Sequence, residues 1–370
     1  MILKNLSILN GLAIIAVIFN HTAYWAETAM FYWTDRYKGV SIPNYDQINS
    51  ISYFVTTLIH QATYFAVPAF LFVSGYFITI TNRGHQSTIS WKIVSTRLKS
   101  LLIPYLIWTT IIFVGDYLQG NVLTPLGYLV RIFVLGAHWG YYFVPTLCIY
   151  YLLSPILYPL AMRHWKPLLG CAILMQLLLL SIRYIKLFSL TFPGLQQMID
   201  WTPDEFFLRW AFYFPFGMVI GIHFEKVIPK LTRYRKELIT VLLITYVLFV
   251  IESQVIFRST PGHINPYINT ITFISYTISF LLLFLAYSQK VFHFSKQLHF
   301  FGSHSYGIYL MHFIFLGLAV RIIYKFAPLI LAAQYLFQPI LLSLGICIPV
   351  VIMIIISKSP IRRSYHFLFG

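Results

Sequence analysis

The sequence predicts an all-α fold, a polytopic bundle of transmembrane helices with about ten spans. The first observation is composition: 59% of the 370 residues are apolar and 10% are charged, against about half and a quarter in ordinary soluble domains. The second is that windows of about 20 mostly apolar residues recur along the whole chain, which is the length an α-helix needs to cross a bilayer. The third is that 26 Lys and Arg stand against only 10 Asp and Glu, mostly in short segments between those windows.

Ten windows are predicted as spans of one membrane domain covering residues 1–370. The first begins like a signal peptide, but no small-x-small cleavage site follows it, so we interpret it as a retained span. A weaker apolar stretch at 122–136 is expected in the membrane interface. The predicted spans are 6–24, 53–80, 98–115, 139–161, 167–182, 206–224, 238–257, 268–287, 300–323 and 335–357.

The charges predict that both termini are cytoplasmic. With the N-terminus inside, 17 of the 26 cations and two of the ten acids fall on the cytoplasmic side, a net charge of +15. The positive-inside rule then favours this orientation and an even number of spans. The other eight acids, including Glu27 and Glu252, fall at or near the outer face. We expect the protein to be integral to the plasma membrane, which in bacteria is the inner membrane.

The basic inner face has two interpretations, contact with anionic lipid headgroups or attraction of a phosphate-rich cytosolic ligand. Nucleic-acid binding is not expected, because a soluble nucleic-acid binder is basic through being rich in charge and this chain is poor in charge. Cys148, Cys171 and Cys347 lie in apolar runs without CxxC or metal-ligand spacing, so neither a metal site nor a disulfide framework is predicted.

The candidate catalytic residues are histidines inside predicted spans. His21 closes the apolar run of the first span, and a neutral imidazole can act as a general base. The alternative is an interfacial histidine that is hydrogen-bonded to a loop. Ser305, Tyr309 and His312 recur at i, i+4 and i+7, so they share one helical face that is expected to line a cavity. Tyr309 or His312 is a candidate donor to an oxyanion.

Three candidates lie toward the predicted cytoplasmic side. Arg97 and Lys99 precede the third span and are well placed to bind phosphate. Positive-inside anchoring alone also explains them. Ser74 belongs to a Ser-Gly pair in the second span, which either opens the helix or packs it closely against a neighbour.

Three candidates lie toward the predicted outer side. His138 and Trp139 begin the fourth span, where their rings are suited to stack on a sugar, although an aromatic belt also accounts for the tryptophan. Glu252 lies near the outer end of the seventh span and is costly to bury unpaired, so it is a candidate partner for a histidine.

Five segments, in this order, resemble the acyltransferase 3 family of integral-membrane acyltransferases. They are Leu9–Ala13 through His21, the run at 70–77, Arg97 with Leu101–Tyr105, His138 with Trp139, and Ser305–His312. The resemblance implies transfer of an acyl group, usually acetyl from cytosolic acetyl-CoA, to a carbohydrate of the cell envelope. Acyl-CoA is then a co-substrate and no cofactor is bound. His21 matches the histidine that the family uses in catalysis.

The sequence departs from the family at two positions on the donor side. The family usually has Arg or Lys eleven residues before its histidine, and here that position is Asn10. Eleven residues return a helical side chain to nearly the same face, roughly 16 Å further along the axis. The second arginine of the family's Arg-x-x-Arg pair is Ser100, with Lys99 beside it.

These two missing cations keep a second function open, a transporter or flippase of a polysaccharide precursor without catalysis. A purely structural scaffold is disfavoured because His21, His312 and Glu252 would then be costs without a use.

Overall fold

The computed structural model describes residues 2–82, 87–202, 206–259, 270–290 and 293–370, apart from the side chains of residues 2–4, 139, 198, 200 and 201. Over these ranges the chain is helical and contains no β-strand, which confirms the predicted all-α class. The α-helices in chain order are α1 (Ile2–Phe31), α2 (Ile51–Thr63), α3 (Ala66–Thr81), α4 (Trp91–Leu118), α5 (Pro125–Val130), α6 (Phe143–Arg163), α7 (Trp165–Leu187), α8 (Gln196–Trp201), α9 (Tyr213–Arg233), α10 (Arg235–Ser259), α11 (Ile271–Ala286), α12 (Ser295–Ser303), α13 (Ser305–Phe326), α14 (Leu329–Ala332), α15 (Gln334–Lys358) and α16 (Tyr365–Phe369).

In the described part of the chain, nine helical segments are long and apolar enough to cross a membrane, and they match nine of the ten predicted spans. The remaining prediction, 268–287, corresponds to α11, although residues 268 and 269 lie outside the described part. The 16 residues of α11 rise about 24 Å, less than the roughly 30 Å of a hydrocarbon core. The predicted interface stretch forms the short apolar helix Pro125–Leu135. The orientation of the termini stays a prediction.

The helices form an inner and an outer group. In α4, α7, α10 and α15, only 17–22% of the apolar window is buried, whereas the figure is 61–78% in the spans containing α1, α3, α9 and α13. Apolar side chains such as Leu174, Val247 and Ile355 lie on the exposed faces of the outer helices. Faces of this kind are suited to lipid. Helix α1 is central and packs against α2, α3, α12, α13 and α15.

Hydroxyl side chains cap the beginning of several helices. Ser50 accepts a hydrogen bond from the backbone N–H of Tyr53 at 3.1 Å at the start of α2. Thr270 accepts one from the N–H of Phe273 at 3.2 Å at the start of α11. Such caps satisfy backbone donors that have no partner within the first turn of a helix.

The second predicted span, 53–80, consists of two helices rather than one. Helix α2 ends at Thr63 and α3 begins at Ala66, with a turn at Tyr64 and Phe65 between them. Pro68 lies in the first turn of α3. A proline lacks the backbone N–H and its ring clashes with the carbonyl four residues earlier, which here belongs to Tyr64. Continuous helix through the turn is therefore disfavoured.

Paired glycines bring two pairs of helices into backbone contact. A Cβ atom on Gly75 of α3 would overlap the carbonyl oxygen of Phe214, and one on Gly217 of α9 would overlap that of Phe72. Gly11 of α1 and Gly302 of α12 make the same kind of reciprocal approach. Small residues at such crossings allow close packing, on which helices in lipid depend. The Ser74-Gly75 pair therefore packs a helix interface.

We expect Gly75→Ala to destabilise the protein by about 1–3 kcal/mol, because the added methyl group forces α3 and α9 apart. The measurement is the thermal unfolding midpoint of the detergent-solubilised protein. Gly115→Ala in α4 is the matched control, since a Cβ there would meet nothing within 4 Å and alanine is the better helix former. Equal midpoints for the two variants would contradict the close contact.

Candidate functional site

His21 and His312 lie face to face in the middle of the bundle. His21 belongs to α1 and His312 to α13, and their ring centroids are 5.1 Å apart with an angle of 30° between the planes. The residues are 6% and 1% exposed. The structure thus brings together the two histidines that the sequence singled out nearly 300 positions apart.

Hydrogen bonding fixes the tautomer of His312. Its Nδ1 lies 2.6 Å from the backbone carbonyl oxygen of Tyr309. A carbonyl oxygen only accepts, so Nδ1 carries the hydrogen and donates it. In the neutral ring Nε2 then holds a lone pair, and this buried atom has no hydrogen-bonding partner among the described residues. A buried acceptor without a partner is costly, which makes Nε2 a candidate contact for a substrate hydroxyl.

The predicted oxyanion donors are both engaged elsewhere. The hydroxyl of Tyr309 donates to the carbonyl oxygen of Gly140 at 2.6 Å, and the Nδ1–H of His312 donates to Tyr309. Tyr309 instead joins α13 to the segment before α6. Since Gly140 has no side chain, this segment approaches His21 closely: a Cβ there would lie 3.4 Å from Cε1 and 3.5 Å from Nε2 of that ring.

His138 lies beside the same pair. Its ring centroid is 3.9 Å from that of Phe313, which in turn packs edge-on against His21 at 5.5 Å. Burial and the charge of Arg131 lower the pKa of His138 to about 4, so this ring is neutral at neutral pH. The side chain of Trp139 lies outside the described part of the chain.

The predicted donor-side residues Asn10, Arg97 and Lys99 lie on α1 and α4. Nη2 of Arg97 donates to Oγ1 of Thr81 at 3.2 Å, which places the start of α4 beside the end of α3. Lys99 is exposed. The side-chain oxygen of Asn10 is buried and has no hydrogen-bonding partner among the described residues.

The other predicted polar residues have structural partners. Oγ of Ser305 donates to the carbonyl oxygen of Gly302 at 2.9 Å, one turn before Tyr309. Ser74 is half-buried on α3 and its hydroxyl lies beside that of Tyr151 in α6.

Glu252 is hydrogen-bonded to Tyr184 and Thr272, and to no histidine among the described residues. Its carboxylate accepts hydrogen bonds from the Tyr184 hydroxyl and from the hydroxyl and backbone N–H of Thr272, the last at 3.0 Å. It therefore links α10 to α7 and α11, and the predicted pairing with a histidine is replaced by these contacts.

Three further polar residues lie between α1 and α2, and the sequence analysis did not select them. Nδ1 of His60 is 3.0 Å from Oε1 of Glu27, and Nε2 of His60 is 2.9 Å from the hydroxyl of Tyr64. Glu27 is 0% exposed and lies within α1, which continues to Phe31 beyond the predicted end at residue 24. The sequence signal that could have identified this set is His60, an ionisable residue inside an apolar window, followed one helical turn later by Tyr64.

The arrangement supplies two adjacent imidazoles in a space from which the helices exclude solvent, and it is suited to moving a proton. Among the described residues, no group of three His, Cys, Asp or Glu side chains is placed to hold a metal ion.

Comparisons with known proteins find similar chains in staphylococci. The chain is 23% identical over 324 residues to a protein of Staphylococcus aureus (strain MRSA252) named probable poly-beta-1,6-N-acetyl-D-glucosamine export protein, covering 83% of this chain and 87% of that one. It is 24% identical over 334 residues to the protein of the same name from Staphylococcus epidermidis, covering 86% and 89%. No solved structure matches the chain.

A family model described as an acyltransferase domain matches residues 3–358, including both stacked histidines and Tyr309. Since this match covers nearly the whole chain, the protein belongs to the acyltransferase 3 family.

Proposed function

We propose that this protein transfers an acyl group, in the simplest case acetyl from acetyl-CoA, to a hydroxyl of a cell-envelope polysaccharide. The observation that carries the proposal is the buried, stacked pair of His21 and His312. A pair of this kind in an apolar bundle has a cost in stability that a purely structural role does not explain.

His21 is the general base in this proposal. It takes the proton of the acceptor hydroxyl while the oxygen attacks the thioester carbon. The new C–O ester bond forms, the C–S bond breaks, and the proton passes from His21 to the departing thiolate. The ring of His312 packs against that of His21 at a centroid distance of 5.1 Å and holds it in position.

His312 also orients the acceptor. Its Nε2 carries a lone pair, and a neighbouring hydroxyl of a carbohydrate is a suitable donor to it. The staphylococcal relatives, named as exporters of an N-acetylglucosamine polymer, support a carbohydrate acceptor. An envelope glycan is thus the acceptor class we propose.

Acyl-CoA binds on the cytoplasmic side in this proposal, at Arg97 and Lys99. The exposed ammonium of Lys99 is free to meet phosphate, and Arg97 is held at the end of α3 by Thr81. Asn10 lies on α1 eleven residues before His21, where the family usually carries a cation.

Export of a polysaccharide without catalysis is the second candidate, favoured by the names of the relatives and by the missing cation at Asn10. Thiol release from acetyl-CoA separates the two functions, because an exporter has no reason to cleave a thioester.

We expect His21→Ala to lower acyl transfer by about 10²–10⁴-fold, the usual contribution of a positioned general base. The assay is thiol release by purified protein from acetyl-CoA with short β-1,6-linked N-acetylglucosamine oligomers. His164→Ala removes an exposed histidine at the start of α7 and serves as the control. Undiminished transfer by His21→Ala would overturn the proposed function.

His312→Phe keeps an aromatic ring against His21 and removes the Nε2 lone pair. We expect an increase of about tenfold in the KM for the acceptor, because one hydrogen bond to the carbohydrate is lost, with a smaller effect on kcat. His312→Ala also loses the stacking and is expected to lower kcat further. If His312→Phe is as inactive as His21→Ala at saturating acceptor, then His312 is itself the base.

Asn10→Arg restores the cation that the family usually has. We expect a lower KM for acetyl-CoA with little change in acceptor KM, because the added charge lies on the donor side of His21. Asn10→Gln, which adds length without charge, is the control. Absence of thiol release in the wild type and in Asn10→Arg would favour export.

A further inference from the structure

Glu27, His60 and Tyr64 form a second set of buried polar residues, and Glu27 shares helix α1 with His21. Glu27 is 0% exposed and His60 is 2% exposed, and the two side chains form an ion pair or a hydrogen bond according to the position of one proton. The second carboxylate oxygen of Glu27 has no hydrogen-bonding partner among the described residues. Burying a carboxylate with half of its hydrogen-bonding capacity unused is costly.

One assignment of hydrogens satisfies both contacts of a neutral His60. The carboxylate of Glu27 accepts from Nδ1–H, and Nε2 accepts from the hydroxyl of Tyr64. The three side chains then carry one negative charge in total. This charge is fixed between α1 and α2, which pack against each other, and His21 belongs to α1.

The charge lies close enough to His21 to act on it. Glu27 follows His21 by six residues on the same helix, α1, which separates them by a rise of about 9 Å along the axis. In an apolar interior such charges are poorly screened. Catalysis at His21 creates a positive imidazolium, which needs a counter-charge more in this setting than it would in water.

We propose that Glu27, held by His60 and Tyr64, is the counter-charge for the imidazolium that forms at His21, which makes these three positioning and electrostatic residues of the acyl transfer. The inference rests on the proposed function. It adds no bond-making step: the proton still moves from the acceptor hydroxyl to His21 and then to the thiolate.

Other ionisable groups face these residues. His312, His138 and His60 act on His21 from α13, from the segment before α6 and from α2. Tyr64 interacts electrostatically with Arg183 of α7 and with Tyr142. Tyr53 of α2 interacts electrostatically with Arg258 of α10 and with Glu27. Glu27 is the one acid buried among the described residues, so its charge has no substitute there.

The test is the pH profile of kcat in the thiol-release assay. A base loses activity as it becomes protonated, and a nearby anion favours the protonated form, so the anion sets the acid limb at a higher pH. Glu27→Gln keeps the shape and removes the charge. We expect its acid limb to move to lower pH by about one unit, with a plateau about tenfold lower.

Two further variants separate charge from hydrogen bonding. Glu27→Asp retains the charge and is expected to keep the acid limb near that of the wild type. Tyr64→Phe removes the hydroxyl that His60 contacts, leaves the charge, and is expected to lower kcat without moving the limb. Glu252→Gln is the matched control, an acid removed from a different part of the bundle.

An active wild type with an unmoved acid limb in Glu27→Gln overturns the counter-charge role, whatever happens to its thermal stability. An equal shift in Glu252→Gln overturns it as well, because the effect would then be one of net charge. Loss of thiol release in the wild type, or full activity of His21→Ala, overturns the proposed function and this inference with it.

Discussion

Hydrocarbon offers no hydrogen-bonding partner, and this constraint organises the polar interior of the bundle. Tyr309 donates to Gly140, His312 donates to Tyr309, and His60 lies between Glu27 and Tyr64, so that the polar atoms between the central helices are largely paired with one another. Among the described residues, Nε2 of His312 and one oxygen of Glu27 are buried atoms without such a partner. Because lipid and packed side chains surround them, a substrate is the natural partner for such atoms, and the proposed site rests on them.

Close helix packing makes this arrangement possible. Gly75 with Gly217 and Gly11 with Gly302 let pairs of helices meet at their backbones. Such contacts hold α1 and α3 in the centre, while α4, α7, α10 and α15 present apolar faces outward. A site on α1 is therefore shielded on all sides by other helices. Shielding strengthens the effect of every charge near His21, from which the proposed counter-charge role of Glu27 follows.

Membership of the acyltransferase 3 family and the printed name of the relatives, probable export protein, both point to a carbohydrate substrate. A chain that modifies a polysaccharide and a chain that moves one both need a path for a carbohydrate through or into the membrane. The distinction lies in the cleavage of the acetyl-CoA thioester, which acyl transfer requires and export does not. The absence of the usual cation at Asn10 bears on the donor alone, since it lies about 16 Å along α1 from His21.

Composition and periodicity determined the all-α membrane class, nine of the predicted spans and the choice of His21, His312 and Tyr309, because apolar windows and rare ionisable residues within them are local signals. The resemblance to the acyltransferase 3 family, confirmed by the family match, came from short motifs in the right order. Only the tertiary structure decided that His21 stacks on His312, that Tyr309 is occupied by Gly140, that Glu252 joins α7 and α11, and that Glu27 is buried against His60. These contacts join residues that are tens to hundreds of positions apart in the chain. Helix packing decides which helix faces meet, and no local stretch of sequence encodes that packing.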